Sequence, residues 1–185
     1  MDPSAGTVAA FYYAAVREFD VPTKDCLTAP AQDEKFTHGG LDRHVYAYAV
    51  GLIDVLGVKA GYKVALWLGN DVESIVLQYA CALVGATAVT LDPALPWEAV
   101  LRTVGEQGVH ALVVPGRVGA ESRTQQLTEH FAPELAYFAT QSGTEPLRSK
   151  RFRSLKYLVS TAGEVPAGVL RMRDVPVYGN SEWRG

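Results

Sequence analysis

The sequence predicts an α/β protein with three layers, in which helices cover a mainly parallel sheet. Between residues 63 and 114, short apolar runs alternate with helical patterns in the order strand, helix, strand, helix, strand. The connections are short, which favours parallel strands joined by right-handed crossovers. The 185 residues are 48% apolar and 20% charged, a composition typical of a globular protein with a substantial core.

The first predicted elements are helical. Residues Val8–Phe19 indicate a short helix rich in aromatic side chains, and Val21–Lys35 has no periodic pattern and is interpreted as a linker. Apolar residues then recur at spacings of three and four, which predicts a helix over Leu41–Leu56 with Gly57 as its C-cap. The residues of that apolar face are Leu41, Val45, Tyr48, Ala49, Leu52 and Leu56.

The βαβαβ pattern follows directly. Lys63–Leu68 is an apolar run suited to a buried strand. Gly69, Asn70 and Asp71 then provide a turn and a helix start, and the helix runs over Val72–Val84 until Gly85 ends it. Thr87–Leu91 is the second predicted strand.

The later elements are predicted on similar grounds. Pro96 is suited to the start of a helix over Trp97–Gln107, and Val109–Val114 is the third strand of the core. Arg123–His130 indicates a further helix and Leu155–Ser160 a further strand. The last 25 residues contain four Gly and two Pro, so little regular structure is expected there. The predicted organisation is an N-terminal helix and linker (1–35), an α/β domain (36–160) and an irregular tail (161–185).

Composition gives few candidates for chemistry. The net charge of −3 argues against general binding to nucleic acid. The two cysteines, Cys26 and Cys81, form no metal or disulfide pattern, and Cys81 is expected to be an inert buried thiol. The four histidines have no metal-ligand spacing and are expected at the surface or the edge of the core: His38, His44, His110 and His130. No catalytic, cofactor-binding or metal-binding residue is therefore predicted.

No segment is predicted to direct the chain into or across a membrane. The N-terminus lacks the basic cluster of a secretory signal and the composition of a standard transit peptide. Val72–Leu91 is almost long enough to span a bilayer, but polar residues and Gly85 interrupt it.

Several short motifs occur together in an order typical of one enzyme family. Phe36-Thr37 is followed by Leu41-Asp42, then by the turn at 56–61 (Leu-Gly-Val-Lys-Ala-Gly), the strand and Asn at 63–70, and Leu91-Asp92-Pro93. This arrangement over 36–115 resembles the opening of the AMP-forming acyl-CoA synthetases. Tyr62 departs from the pattern, because the family usually has Asp there.

The resemblance continues toward the end of the chain. Ala132–Leu135, Leu147–Ser149 and Leu155-Lys156 resemble the stretch that medium-chain-type members carry just before their phosphate loop. In this collinear interpretation, the sequence stops at Gly185 before that loop.

An interpretation with an internal deletion stays open. Val177–Glu182 resembles the adenine-contacting motif of the family, and Thr161–Glu164 resembles a Gly-Glu turn that can precede it.

Neither interpretation provides a phosphate loop. Ser142–Pro146 begins like one, but it lacks the further glycines and the Lys that would hold phosphates, and Glu145 would repel them. The resemblance therefore implies poor ATP binding and no bound cofactor. We accordingly expect a chain kept for its shape and not for turnover.

Three hypotheses about function follow from that expectation. The first is a non-catalytic accessory subunit of a large protein assembly, in which Phe11, Tyr12, Tyr13 and Trp183 contact other subunits. Since the resembled medium-chain enzymes are often mitochondrial, the expected assembly is a respiratory complex, ATP synthase or mitochondrial ribosome. The alternative is a fragment or half of a split acyl-CoA ligase. The third is a free small-molecule-binding module.

One local concentration of positive charge stands out in the sequence. Its members are Arg148, Lys150, Arg151, Arg153 and Lys156. They are interpreted either as a solvated loop or as a docking site for an acidic partner, a lipid headgroup or RNA phosphate. Because few aromatic residues are interleaved with them, no sequence-specific reading of nucleic acid is expected.

Overall fold

The computed structural model describes residues 23–140 and 145–178. They belong to two units, each with its own internal contacts. Among the described residues, unit 1 holds those from 23 to 60, Asn70–Ala86 and 176–178, and unit 2 holds those of Gly61–Gly69 and Thr87–Val175. Some sequence predictions lie outside the described residues: the helix at 8–19, the partner contacts at Phe11, Tyr12, Tyr13 and Trp183, residues 142–144 of the loop-like motif, and residues 179–182.

The first described elements of unit 1 are β1 (Asp25–Ala29) and β2 (Glu34–Thr37), which form an antiparallel hairpin. The linker predicted for this stretch is therefore wrong where the two strands form. Lys35 and Asp25 make an ion pair of 2.6 Å across the hairpin, and Asp33 turns the chain with a φ of 54°. Most side chains of the hairpin are exposed, so its strands lack the apolar alternation that would have revealed them.

Two α-helices are described in unit 1 after the hairpin. They are α1 (His38–Asp54) and α2 (Val72–Val84), which pack against each other. The Thr37 hydroxyl accepts a hydrogen bond of 3.1 Å from the amide of Gly40 at the start of α1. At the end of α2, Gly85 takes the left-handed conformation, with a φ of 74°. Both predicted helices are confirmed, with α1 starting and ending slightly earlier than expected.

Asp71 caps α2 and gives a direct test of helix stabilisation. Its carboxylate accepts a hydrogen bond of 3.0 Å from the amide of Ser74. Replacing Asp71 with alanine should lower the free energy of unfolding by about 1 kcal/mol, because this amide loses its acceptor. Urea denaturation followed by circular dichroism would measure the change. Asp71→Asn keeps the acceptor, so an equal loss in that variant would contradict a capping role.

Unit 2 contains a five-stranded sheet in which every neighbouring pair of strands is parallel. Its strands are β3 (Lys63–Leu66), β4 (Thr87–Thr90), β5 (Ala111–Val114), β8 (Tyr157–Ser160) and β9 (Val169–Arg171), in the spatial order β4-β3-β5-β8-β9. A small antiparallel hairpin of β6 (Arg117–Val118) and β7 (Glu121–Ser122) follows β5. The predicted α/β class with a mainly parallel sheet is confirmed.

The helices of unit 2 are α3 (Trp97–Gln107), α4 (Arg123–His130) and the single turn α5 (Ala132–Leu135), followed by a 3-10 turn at Ala136–Thr140. The core of the unit lies between these helices and the sheet. Its largest fully buried side chains include Trp67, Leu112, Leu127, Phe131, Leu155 and Leu158. Among the described residues, no helix is both long and apolar enough to cross a bilayer.

The expectation of little regular structure after residue 160 is wrong for 169–174. Val169–Arg171 forms the edge strand β9, paired with β8 through Leu158 and Val169, and Met172–Asp174 forms a 3-10 turn. A strand of three residues is too short to show a periodicity of two, which explains why the sequence did not reveal it.

Candidate functional site

A cleft of about 450 Å³ opens in unit 2 at the carboxyl ends of β5 and β8. Ligands of open parallel sheets bind at this end of the strands, so the cleft is the candidate site. Three segments supply its walls: the turn after β5, the first turns of α4, and the loop after β8. Its lining residues are Gly116, Arg117, Ser122, Thr124, Gln125, Thr128, Ala162, Gly163, Glu164 and Pro166.

Hydrogen bonds between the two strand ends build the floor of the cleft. The amide of Gly116 donates to the Thr161 hydroxyl over 2.9 Å, and the amide of Thr161 donates to the carbonyl of Val114 over 3.1 Å. The backbones of Gly116 and Ala162 approach so closely that a Cβ on Gly116 would lie 2.9 Å from the Ala162 Cα. A residue larger than glycine would have to push these two backbone segments apart.

Hydroxyl groups fasten α4 to the sheet beside the cleft. The fully buried Ser160 hydroxyl lies 3.0 Å from the Thr124 hydroxyl and accepts a hydrogen bond from the amide of Ala162. The Ser122 hydroxyl caps α4 by accepting from the amide of Gln125 over 3.2 Å. The lining of the cleft is therefore largely polar, with hydroxyls, the Gln125 amide side chain and the charges of Arg117 and Glu164.

Gly116 allows the floor to be tested. Gly116→Ala should lower the free energy of unfolding by about 2 kcal/mol, since the new methyl group would press on the backbone of Ala162 and not on a flexible side chain. Urea denaturation would measure the loss. Gly163→Ala is the matched control, because a Cβ there meets nothing within 4 Å. Equal stability of the two variants would show that the strand ends separate easily.

The predicted basic cluster lies elsewhere in unit 2, and its members have different roles. Arg151 forms an ion pair with Glu134 over 3.1 Å, and the Glu134 side chain is 5% exposed. Arg148 stacks on Tyr137, and the Lys156 ammonium donates to the carbonyl of Arg153. The ion pair was not foreseen by either interpretation of the cluster. The prediction that the cluster docks an anionic partner remains a prediction.

The Glu134 carboxylate accepts hydrogen bonds from residues 149 and 151 of the segment that contains the basic cluster. The Arg151 guanidinium makes two hydrogen bonds to this carboxylate and one of 2.7 Å to the carbonyl of His130, and the Ser149 hydroxyl donates to the carboxylate over 2.8 Å. Burial acts to raise the pKa of Glu134, but the hydrogen bonds from Arg151 and Ser149 outweigh burial and hold that pKa below its usual value. The ion pair is therefore structural.

The cysteines and histidines take positions near those expected. Cys81 is fully buried, and burial raises the pKa of its thiol to about 12, which makes it unreactive. The Nδ1 atom of His44 lies 2.9 Å from the Tyr178 hydroxyl. No group of three or more His, Cys, Asp or Glu within residues 23–140 and 145–178 could hold a metal ion.

The sequence analysis did not predict the hydroxyl residues in and beside the cleft, although their positions relative to the strands follow a known pattern. Ser160 is the last residue of β8, and Thr161 directly follows it. Gly116 and Arg117 come shortly after the end of β5. Polar residues at the carboxyl ends of neighbouring parallel strands meet at one edge of the sheet. Applying this rule requires knowing that β5 and β8 are neighbours, which the sequence pattern did not establish.

Comparison with known proteins identifies relatives for most of the chain. A family model described as AMP-binding enzyme matches residues 17–151. "Medium-chain acyl-CoA ligase ACSF2, mitochondrial" from Bos taurus is 26% identical over 165 residues, covering 88% of this chain and 25% of the relative. The protein of the same name from Homo sapiens is 28% identical over 167 residues, covering 87% and 25%. The chain thus spans about a quarter of the length of the curated relatives it matches.

The fold has solved counterparts as well. A fatty acyl CoA synthetase from Mycobacterium tuberculosis superposes with a TM-score of 0.62 at 18% identity, covering 86% of this chain and 27% of the other. The fold predicted from the sequence is therefore shared with such synthetases.

These findings confirm the resemblance drawn from residues 36–115 and correct the expectation of a chain that is not an enzyme. The matched family is one of enzymes, and the matched relatives are ligases. None of these relatives is described as an accessory subunit or as a part of ATP synthase or a respiratory complex. The chain matches part of the length of these ligases, which favours the alternative hypothesis over the first.

Proposed function

Because this chain belongs to the AMP-binding enzyme family, we propose that it forms the N-terminal part of an adenylate-forming acyl-CoA ligase. The observation that carries the proposal is the match of the family model over residues 17–151. In this proposal the chain supplies the first parallel sheet, and residues outside these 185 supply the ATP-phosphate loop. In this proposal, the residues of the phosphate loop belong either to the same polypeptide or to a second chain that completes a split enzyme.

The proposed reaction joins a carboxylic acid to CoA in two steps. ATP first converts the acid to an acyl adenylate with release of pyrophosphate, and the CoA thiol then displaces AMP to form the thioester. We propose a medium-chain fatty acid as the substrate, since the relatives from Bos taurus and Homo sapiens carry that substrate in their names. The same names support a mitochondrial location, which fractionation of source cells with an antibody against this chain would test.

The proposal predicts activity in the native material and none in the isolated chain. The protein would be purified under native conditions from its source, with everything that remains attached. AMP release would be measured with ATP, octanoic acid and CoA, and again with one of the three omitted. Release that needs all three supports the proposal.

Two comparisons make the result specific. The recombinant 185-residue chain should release no AMP under the same conditions, because no phosphate loop is present in it. Removal of the protein from the native material with an antibody should remove the activity in proportion. Native material that contains the chain but makes no AMP with any acid from acetate to palmitate would overturn the proposal.

A further inference from the structure

A second concave site in unit 2 is formed by the basic loop, which we define as residues 148–156. The loop contains all five members of the basic cluster, and no Asp or Glu occurs between residues 146 and 163. The whole chain has a net charge of −3, so this loop is positive against the overall balance. A local field of this kind attracts anions, provided that the cations are not already paired.

The backbone of the basic loop is held in place from inside. Arg151 reaches the buried Glu134, and the Ser149 hydroxyl both donates to Glu134 and accepts from the amide of Phe152 over 3.0 Å. The ring of Phe152 packs beside Phe131, with ring centroids 5.8 Å apart. The charge of Arg151 is thus paired with Glu134, and the other basic side chains extend from a backbone that these contacts hold in place.

Between the basic loop and the end of α3 lies a cavity of about 250 Å³. It is lined by Val104, Gly105, Gly108 and residues 150–155. Gly105 and Gly108 leave room for it, since neither places a side chain in the cavity. Lys150 and Arg153 are exposed at its wall, and neither makes an ion pair with any residue of the described ranges.

The C-terminus of α3 lies beside this cavity, and its partial negative charge would disfavour an anion there. The carbonyls at a helix C-terminus carry partial negative charge, which the cations of the loop could simply balance. Here the carbonyl of Val104 accepts from the amides of both Gly108 and Val109, and that of Gly105 accepts from Gly108. The cap partly satisfies these carbonyls, so positive charge at Lys150 and Arg153 exceeds what the helix end requires.

We propose that this cavity binds a phosphomonoester group. A doubly charged phosphate matches the two unpaired cations, Arg153 provides a planar fork of donors, and the Ser154 hydroxyl lines the same wall. The volume is below the roughly 300–1,000 Å³ of sites that enclose a drug-sized ligand, so it suits a phosphate group and not a whole cofactor. The site is separate from the cleft at the ends of β5 and β8 and does not depend on the proposed ligase function.

The test uses the full recombinant chain, labelled with ¹⁵N and titrated with glycerol 3-phosphate. The amides of Gly105, Gly108 and Ser154 should shift with a single saturable binding curve, and uncharged glycerol should cause no such shift. The variant Lys150→Gln/Arg153→Gln should bind at least about tenfold more weakly, since both proposed charge contacts are lost. Lys24→Gln/Lys59→Gln removes the same charge from exposed positions in unit 1 and should keep the affinity of the unaltered chain.

The source of the phosphate is distinguished by vesicles. Phosphatidylcholine vesicles with and without phosphatidic acid would be sedimented with the same three proteins. Recruitment that needs both phosphatidic acid and the two cations assigns the site to a lipid headgroup, and glycerol 3-phosphate binding without recruitment assigns it to a soluble phosphate ester. The proposal is overturned if glycerol 3-phosphate gives no saturable shift, or if both double variants lose affinity equally.

Discussion

Gly168→Ala should lower the free energy of unfolding of unit 2 by about 3 kcal/mol, the largest effect that we expect of an added methyl group at any described glycine. Gly168 has a φ of +85°, a conformation that alanine adopts only with strain. A Cβ there would also lie 2.5 Å from Cδ2 of Phe138 and 2.9 Å from Cδ2 of Leu135. Both side chains are buried, so neither can move away cheaply.

The contributions of backbone strain and of steric overlap to this loss can be separated by comparison with Gly119. Gly119 has a φ of +57°, but a Cβ there meets nothing within 4 Å. Gly119→Ala should therefore cost only the backbone strain, about 1 kcal/mol. Urea denaturation followed by the fluorescence of Trp67 and Trp97, both in unit 2, would measure each variant in a Trp183→Phe background. Equal losses in the two variants would mean that Phe138 and Leu135 yield to the added methyl group.

Arg151→Ala should lower the free energy of unfolding by about 2 kcal/mol at pH 7, because it leaves the buried Glu134 carboxylate without its charged partner. The effect is smaller than for a fully buried pair, since the Arg151 side chain is 47% exposed and solvent screens its charge. A Glu134→Gln/Arg151→Ala variant should recover part of this loss, since the unpaired charge is then removed. Arg153→Ala is the matched control. Arg153 is exposed and has no ion pair within the described residues, so its loss should change stability by no more than about 0.5 kcal/mol.

The pH dependence of Arg151→Ala gives an independent check. In the unaltered chain the folded pKa of Glu134 is lowered, so the pair contributes stability above the unfolded pKa of about 4.3. That contribution disappears as the pH falls through the lowered folded value. In Arg151→Ala, burial favours the neutral acid, so the deficit relative to the unaltered chain should shrink as the pH is reduced from 7 toward 4. Urea denaturation across that range would measure it, and a constant deficit would contradict an electrostatic cause.

The sequence was most informative where the structure depends on local patterns. The helices α2 and α3 were predicted from local start and stop signals: Asp71 before α2, Gly85 after it, and Pro96 before α3. The strands β3, β4, β5 and β8 follow from short apolar runs between turn residues. Their order along the chain was enough to predict a parallel sheet.

The candidate site was less predictable, because its parts lie far apart in the sequence. Nothing near Ser160 indicates that its hydroxyl meets Thr124, and nothing near Gly116 indicates that Ala162 lies against it. The basic loop shows the same limit. The sequence shows the positive charge of the loop, but the ion pair between Arg151 and Glu134 forms only when α5 and the loop are brought together.

The amino-acid sequence alone determined the α/β class, most of the regular elements and the resemblance to acyl-CoA synthetases, since periodicity, caps and short motifs act over neighbouring residues. The tertiary structure decided the neighbour relations of β5, β8 and β9, the cleft at the strand ends, the buried ion pair of Glu134 and the need for glycine at 116 and 168. These features depend on close approaches between distant segments, which are set by the packing of the core and leave no local pattern in the chain.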